Sequence, residues 1–234
     1  MKRVSSCCLL MAVGLLAAAG SAKAAIGLSL NPVDDAFATD QPRDGIFDSL
    51  FPTSPANIVG GTGNSEYRSA LEFQLSAIPA NSIINSATLI LHEVAASGSG
   101  GSVGVNVHAY VGNGVAELSD MYVNNPVAGP IIVNLGVPPP PIQFDVTSAI
   151  NSLYASGATY SGFMLRGPPN DFVLQLGSIN NGIGPTVYPT LAITYTVVPE
   201  PSALALAALG VVALLVTRCR FWGRDSDRYY SRLL

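Results

Sequence analysis

The chain has 234 residues, enough for one or two domains with a sizeable core. Charged residues make up only 11 %, the formal net charge is −4, and mean hydropathy is +0.40. Much of that hydropathy lies at the two ends, a pattern of membrane handling rather than of a greasy fold throughout. Residues 25–198 hold three basic side chains, Arg43, Arg68 and Arg166, against twelve carboxylates, a formal charge of −9 with no lysine. Such a surface repels phosphate backbones, which excludes nucleic acid as a partner. It also disfavours acidic polysaccharides unless a cation bridges them.

The first element is an export signal. Lys2 and Arg3 supply positive charge, Leu9 to Ala19 an apolar run, and Ala22-Lys23-Ala24 a small-residue cleavage site. The expectation is a signal peptide over 1–24, with signal peptidase cutting after Ala24. The run is shorter than a comfortable membrane span. Cys7 and Cys8 leave with it, and Cys219 lies near the other end, so residues 25–198 contain no cysteine. Disulfides, thiol chemistry and thiolate metal sites are thereby excluded from the exported part, whose stability must come from a packed core.

The next notable segment is DQPRDGIFD, residues 40–48. Asp40, Asp44, Gly45 and Asp48 fall at positions 1, 5, 6 and 9 of a calcium-loop spacing, where oxygen ligands beside a glycine turn suit a hard cation. Pro42 at position 3 and Phe51 at position 12 rule out an EF-hand. Two readings stand side by side: a looser calcium loop on Asp40, Asp44 and Asp48, and an acidic turn whose carboxylates accept local backbone N–H groups.

The middle of the chain has period two. In VGVNVHAYV (103–111), Val103, Val105, Val107, Ala109 and Val111 share one face, expected to be buried, and Asn106, His108 and Tyr110 share the polar face. LEFQL (71–75) alternates likewise, with Leu71, Phe73 and Leu75 inward. SATLILHEV (86–94), IQFDV (142–146), FVLQL (172–176) and LAITYTV (191–197) read as further strands. Turn-rich stretches separate them: SGSGGS (97–102), NNPVAGP (124–130), VPPPP (137–141), RGPPN (166–170) and NNGIGP (180–185). Many short strands between Gly/Pro turns predict an all-β sandwich. One helix fits TSAINSLYAS (147–156), with Thr147 as its cap and Ala149, Ile150, Leu153 and Tyr154 facing inward.

Four segments carry a resemblance. YRSALEFQLSAIPANSIINSATLILHEV (67–94), FDVTSAINSLYASG (144–157), YSGFMLRG (160–167) and YPTLAITYT (188–196) together resemble the DNRLRE-type β-sandwich family over about residues 30–197. That resemblance implies a jelly-roll-like sandwich of the kind attached to secreted polysaccharide-active enzymes, with carbohydrate binding among relatives. The motif behind the family name is not legible here, so no site residue is carried over.

Candidate chemistry is sparse. His92 and His108 could pair as metal ligands across strands, but a structural histidine accounts for both. There is no GxSxG elbow and nothing joins either histidine to a serine. No pair among the twelve carboxylates is singled out by spacing for glycoside cleavage, so no catalytic residue is assigned. Sugar platforms would have to come from tyrosines, since the only tryptophan, Trp222, is near the C-terminus. Arg68 and Arg166 are expected to pair with carboxylates such as Glu66 or Glu72.

The last element is the tail. Ala203 to Val216 is an apolar run of fourteen residues, short against the roughly 20 needed for ~30 Å of hydrocarbon unless Ser202, Thr217 and snorkelling arginines extend it. Pro201 suits a helix start, and Glu200 the positive end of the helix dipole. Arg218, Arg220, Arg224, Arg228 and Arg232 follow and orient the helix, leaving 25–198 outside and 221–234 as a cytoplasmic extension. Val198-Pro199-Glu200-Pro201-Ser202, the apolar run and Arg218-Cys219-Arg220 closely resemble the PEP-CTERM sorting signal. The resemblance implies recognition at Pro199, Glu200 and Pro201 by an exosortase, a membrane cysteine protease of Gram-negative bacteria that make exopolysaccharide. FWGRDSDRYYSRLL (221–234) runs past the usual end of that signal.

The expected organisation is a signal peptide (1–24), a β-sandwich ectodomain (25–197), a sorting tail with a transmembrane helix (198–220) and a cytoplasmic extension (221–234). The expected function is that of an exported, non-catalytic surface or extracellular-matrix protein. It would pass through an inner-membrane intermediate to the cell envelope, cell surface or matrix and be linked to exopolysaccharide or biofilm. A carbohydrate-binding module assisted by calcium, with polysaccharide as partner, is one alternative. A secreted glycan-cleaving enzyme is another.

Overall fold

The computed structural model describes residues 24–98, 102–134, 140–168, 172–180, 182, 184–198, 210 and 213–214. Ala22 and Pro199, Glu200 and Pro201 lie outside the described residues, as do nearly all of the expected signal peptide and tail helix. Residues Ala25–Val197 form one compact unit.

That unit is mostly β, as the period-two segments predict. A four-stranded antiparallel sheet has the order β1 (Ile26–Leu30), β13 (Thr190–Val197), β6 (Ser82–Leu91), β10 (Ile142–Asp145). A nine-stranded sheet runs β7 (Glu93–Gly98), β12 (Phe172–Gly177), β4 (Ala56–Thr62), β5 (Ser65–Gln74), β11 (Tyr160–Arg166), β8 (Ser102–Gly112), β9 (Pro126–Asn134). β2 (Asp34–Asp40) pairs with β5 and with the short β3 (Ser49–Phe51). The curled sheets are consistent with a β-sandwich. Their facing sides share one core: Leu89, Leu91, Phe144, Leu191 and Ile193 from the small sheet meet Leu71, Phe73, Val107, Phe163 and Leu174 from the large one.

The alternation explains this packing. A pleat sends every second side chain to the same face, so Leu71, Phe73 and Leu75 fall together on the core. Phe73 meets Phe163 edge-on at 6.0 Å between ring centres, a pairing that adds about 0.5–1.5 kcal/mol to the burial itself. Truncating Phe163 to Ala would open a cavity here at a cost of roughly 3–5 kcal/mol.

Three expectations are corrected. The segment 86–94 is not one strand: β6 ends at Leu91 in the small sheet, and β7 begins at Glu93 in the large one. His92 is the crossover residue, its carbonyl accepting Gly177 N–H at 2.8 Å. NNPVAGP (124–130) is not only a turn, since β9 starts at Pro126. β9 is an edge strand with shifted register against β8, where missing proline N–H groups are tolerated.

The helix α1 (Thr147–Ala155) is present, but Thr147 does not cap it. The Thr147 hydroxyl donates to Asp145 Oδ1 at 2.6 Å and lies 2.9 Å from Ala87 N as its acceptor. Asp145 itself accepts the Thr147 N–H at 2.9 Å, and these bonds hold its carboxyl below the usual range. Ala149 and Ile150 are buried, and Leu153 and Tyr154 pack against the core.

Candidate functional site

The acidic turn closes on itself. Asp40, fully buried at the end of β2, accepts Asp44 N–H on Oδ1 at 3.0 Å and Gly45 N–H on Oδ2 at 2.9 Å. Asp44 Oδ1 accepts Ile46 N–H at 3.0 Å, and Asp48 Oδ2 accepts Gln41 N–H at 2.8 Å. Gly45, at φ 90°, supplies the left-handed residue that the tight return needs. The three aspartates are thus brought into one turn, each fastening backbone. Among the described residues no group of three or more His, Cys, Asp or Glu side chains is placed to hold a metal ion.

The turn leads into the outer face of the large sheet, which the register fixes row by row. Asp34, Glu72, Gly162 and Tyr110 form one row across β2, β5, β11 and β8. The next row is Ala36, Ala70, Met164 and His108, and the next Ala38, Arg68, Arg166 and Asn106. Two segments roof this face. Phe47 and Leu50 come from the turn side; Ala116, Leu118 and Met121 come from the segment that carries a 3-10 helix (Leu118–Tyr122). They form a second apolar cluster with Ala36, Ala38 and Ala70. Phe47 packs edge-on against Tyr122 at 5.6 Å, and Tyr122 Oη accepts Phe47 N–H at 2.8 Å.

This roof changes the meaning of the polar alternation. Asn106, His108 and Tyr110 share a face, as expected, but that face is largely enclosed: His108 is only 5 % exposed. Val111, expected to point inward, is 67 % exposed at the end of β8. His92 and His108 do not meet, since β7 and β8 are separated by four strands in the sheet order.

Three polar clusters follow from the rows. First, Arg68 and Arg166 both reach Glu66 Oε1, at 2.7 and 3.4 Å. Arg68 also donates to the Met121 carbonyl at 2.6 Å and lies 4.8 Å over the Phe47 ring, which pins the roof to the sheet.

Second, Glu72 lies fully buried and accepts Gly114 N–H at 3.2 Å. The Tyr110 hydroxyl lies against the carboxyls of Glu72 and Asp120. It and Glu72 Oε1 are buried without a hydrogen bond of ordinary geometry. Burial pushes the carboxyls of Glu72 and Asp120 up, and burial together with their charges pushes the Tyr110 hydroxyl up further still. Glycine makes the cluster possible: a Cβ on Gly162 would stand 2.1 Å from the Tyr110 ring.

Third, Asp35 points the other way and crosslinks β2 to β4 and to the chain after β12. Its Oδ2 accepts Asn57 Nδ2 at 2.8 Å and Ile179 N–H at 3.0 Å; its Oδ1 accepts the Ser178 hydroxyl at 3.0 Å. Burial raises its carboxyl, and those bonds offset part of that effect. Of the two carboxylates expected to pair with Arg68 and Arg166, Glu66 does so and Glu72 instead accepts Gly114 N–H; Asp35 meets Asn57, Ser178 and Ile179. The available signal was glycine inside strands at 112 and 162, a mark of close approach.

One part of this face stays open. Where β8, β9 and β11 meet, a shallow groove of ≈ 520 Å³ is lined by Asn106, His108 and Arg166 with Pro126 and Pro130. The fully buried clusters cannot touch a substrate, whereas the groove can receive a ligand.

The compact unit ends at Val197, and the sorting tail follows. Residues 197–220 match the family model described as the PEP-CTERM protein-sorting motif. The motif implies an exported protein processed by an exosortase, with a membrane-anchored or cell-envelope location in Gram-negative bacteria. No curated protein matches the chain. Among the described residues no helix is long and apolar enough to cross a membrane; the expected transmembrane segment lies almost wholly outside them.

Proposed function

We propose that the chain is a non-catalytic surface or extracellular-matrix protein whose compact β unit is delivered by exosortase processing and works in exopolysaccharide or biofilm assembly. The observation that carries this reading is the sorting motif at 197–220, which begins where the compact unit Ala25–Val197 ends. A tail that starts at the last strand can be cut without removing any strand of the fold. The unit holds together without a disulfide: its two roofing segments are held by Asp40, Glu66 and Arg68 through backbone and ion-pair contacts.

The test is mass spectrometry of the protein from envelopes and culture matrix of wild-type and exosortase-deficient cells. The expected wild-type product begins after Ala24 and has lost its C-terminal tail; the deficient cells accumulate a chain that still ends at Leu234. A wild-type product with Leu234 intact overturns the sorting. Matrix polysaccharide unchanged in amount and cohesion after deletion of the gene overturns the assembly role.

A further inference from the structure

We propose that the groove between β8, β9 and β11 binds one small carboxylate-bearing ligand, gripped by Arg166 and flanked by Asn106 and His108. The register places these groups together. Asn106 stands directly opposite Arg166, and His108 is two residues along the same face of β8. All three line the groove, and Arg166 is 38 % exposed there.

Charge selects the ligand. Arg68 and Arg166 share the carboxylate of Glu66, with the buried carboxylate of Asp40 beside it in the next row; Arg166, at 3.4 Å the looser and more exposed of the two arginines, keeps guanidinium N–H donors for a ligand. The surrounding unit is formally −9 over residues 25–198, which makes this spot an exception to its own surroundings. A planar guanidinium matches a carboxylate edge with two parallel N–H donors. His108 adds a second sign of an unfilled site: it is 95 % buried, yet Nδ1 has no partner. Burial and the nearby Arg166 and Arg68 hold its pKa down, so it stands as a neutral imidazole, which accepts from a hydroxyl at a bare nitrogen or donates an N–H to a carboxylate oxygen.

Size follows from the walls. A long acidic polymer meets the acidic remainder of the unit and is repelled. An extended peptide would have to pair with edge strand β9, where Pro126 and Pro130 remove N–H donors. A small acid, either free or as a single sugar acid, avoids both obstacles.

The experiment uses the full chain in zwitterionic detergent at constant ionic strength. Sodium D-glucuronate, sodium butyrate and D-glucose are titrated separately while imidazole proton resonances are followed by NMR. The chain has two histidines, so His92, at the distant crossover, serves as internal control. The expected result is a saturable shift of the His108 signals with one or both carboxylates, none with glucose, and none at His92. Saturation by both carboxylates marks the carboxyl group itself as the determinant. Saturation by glucuronate alone marks a sugar acid, and by butyrate alone a free acid. Arg166→Gln is expected to weaken binding at least about tenfold with little change in melting temperature. Should that variant melt early, Asn106→Asp places a repelling charge in the groove and is expected to weaken binding as much. No saturable shift with any probe, equal shifts with glucose, or unchanged binding in the folded variant overturns the proposal. Such a failure leaves the sorting reading intact, since it concerns only the β unit.

Discussion

Removing the carboxylate of Asp35 should destabilise the unit far more than neutralising it. Asp35→Ala leaves Ile179 N–H and one N–H of Asn57 without an acceptor in a buried site. The others keep a second partner: Ser178 Oγ still reaches the Ser54 carbonyl at 2.8 Å, and Asn180 Nδ2 the Pro52 carbonyl at 3.1 Å. Two orphaned donors cost about 1–3 kcal/mol each, so Asp35→Ala is expected to lose roughly 2–6 kcal/mol. In a domain of this size that is a fall in melting temperature of roughly 5–20 °C. Asp35→Asn differs in kind. Its amide oxygen can take the place of Oδ2 toward Asn57 and Ile179, and its NH2 can donate to Ser178 Oγ, which donates onward to Ser54. A buried charge also disappears, so the expected loss is within about 1 kcal/mol. The assay is thermal and urea denaturation of the full chain at pH 7, followed by circular dichroism. An Asp35→Ala protein melting beside wild type, or an Asp35→Asn protein as weak as Asp35→Ala, would refute the acceptor role.

The remaining predictions rest on the same clusters and on the tail. Gly162→Ala sets a methyl 2.1 Å from the Tyr110 ring and should cost about 1–3 kcal/mol in urea denaturation; in a Tyr110→Ala background the same substitution should cost clearly less. Asp35, Glu72 and Asp120 have carboxyls raised by burial, so the native state holds protons that the unfolded chain releases above the ordinary values of 3.8 and 4.5. The stability these groups contribute should therefore grow as pH falls through the raised values toward 3.8 and 4.5 and be lost as pH climbs back through them, a trend that Asp35→Asn flattens. Millimolar calcium followed by EDTA should move the melting temperature by less than about 1 °C, because both Asp40 oxygens already accept backbone N–H groups; a rise of several degrees would show an ion replacing them. Glu200→Ala should leave the tail uncut, read as a chain ending at Leu234 in intact-mass spectra of envelopes.

What was legible in the sequence divides along a physical line. Strands built on strict alternation, such as 71–75 and 142–146, were found because period two is a local property of the pleat. β2 and β4 were missed. DDAFATD and ANIVGGT carry small residues and buried polar groups in place of an apolar series. β9 was read as a turn because Pro126 and Pro130 are forbidden only in a paired interior, and the sequence does not say which strand is an edge. The three aspartates of the turn were legible as a cluster, and the structure shows what their oxygens face. The partners of Asp35 and Glu72 were not legible, because their donors lie far away in the chain: Ile179 for Asp35 and Gly114 for Glu72.

Alternation reports which face a side chain takes, not whether that face meets water. Asn106, His108 and Tyr110 look like a solvated stripe, yet Phe47, Ala116 and Met121 close a second apolar layer beside them. Once roofed, a polar side chain must find a partner or pay its desolvation. Glu66 meets this demand with two arginines, and Asp40 with two backbone N–H groups. The same logic gives several carboxylates structural work: Asp34, Asp40, Asp48 and Asp120 each accept backbone N–H bonds in or beside the roofing segments. The scarce cations are gathered rather than spread. Two of the three arginines of the exported part converge on one carboxylate, and Arg166 of the pair lines the groove between β8, β9 and β11. A carboxylate choosing this surface by charge would be drawn to Arg166, beside which the buried His108 Nδ1 lacks a partner.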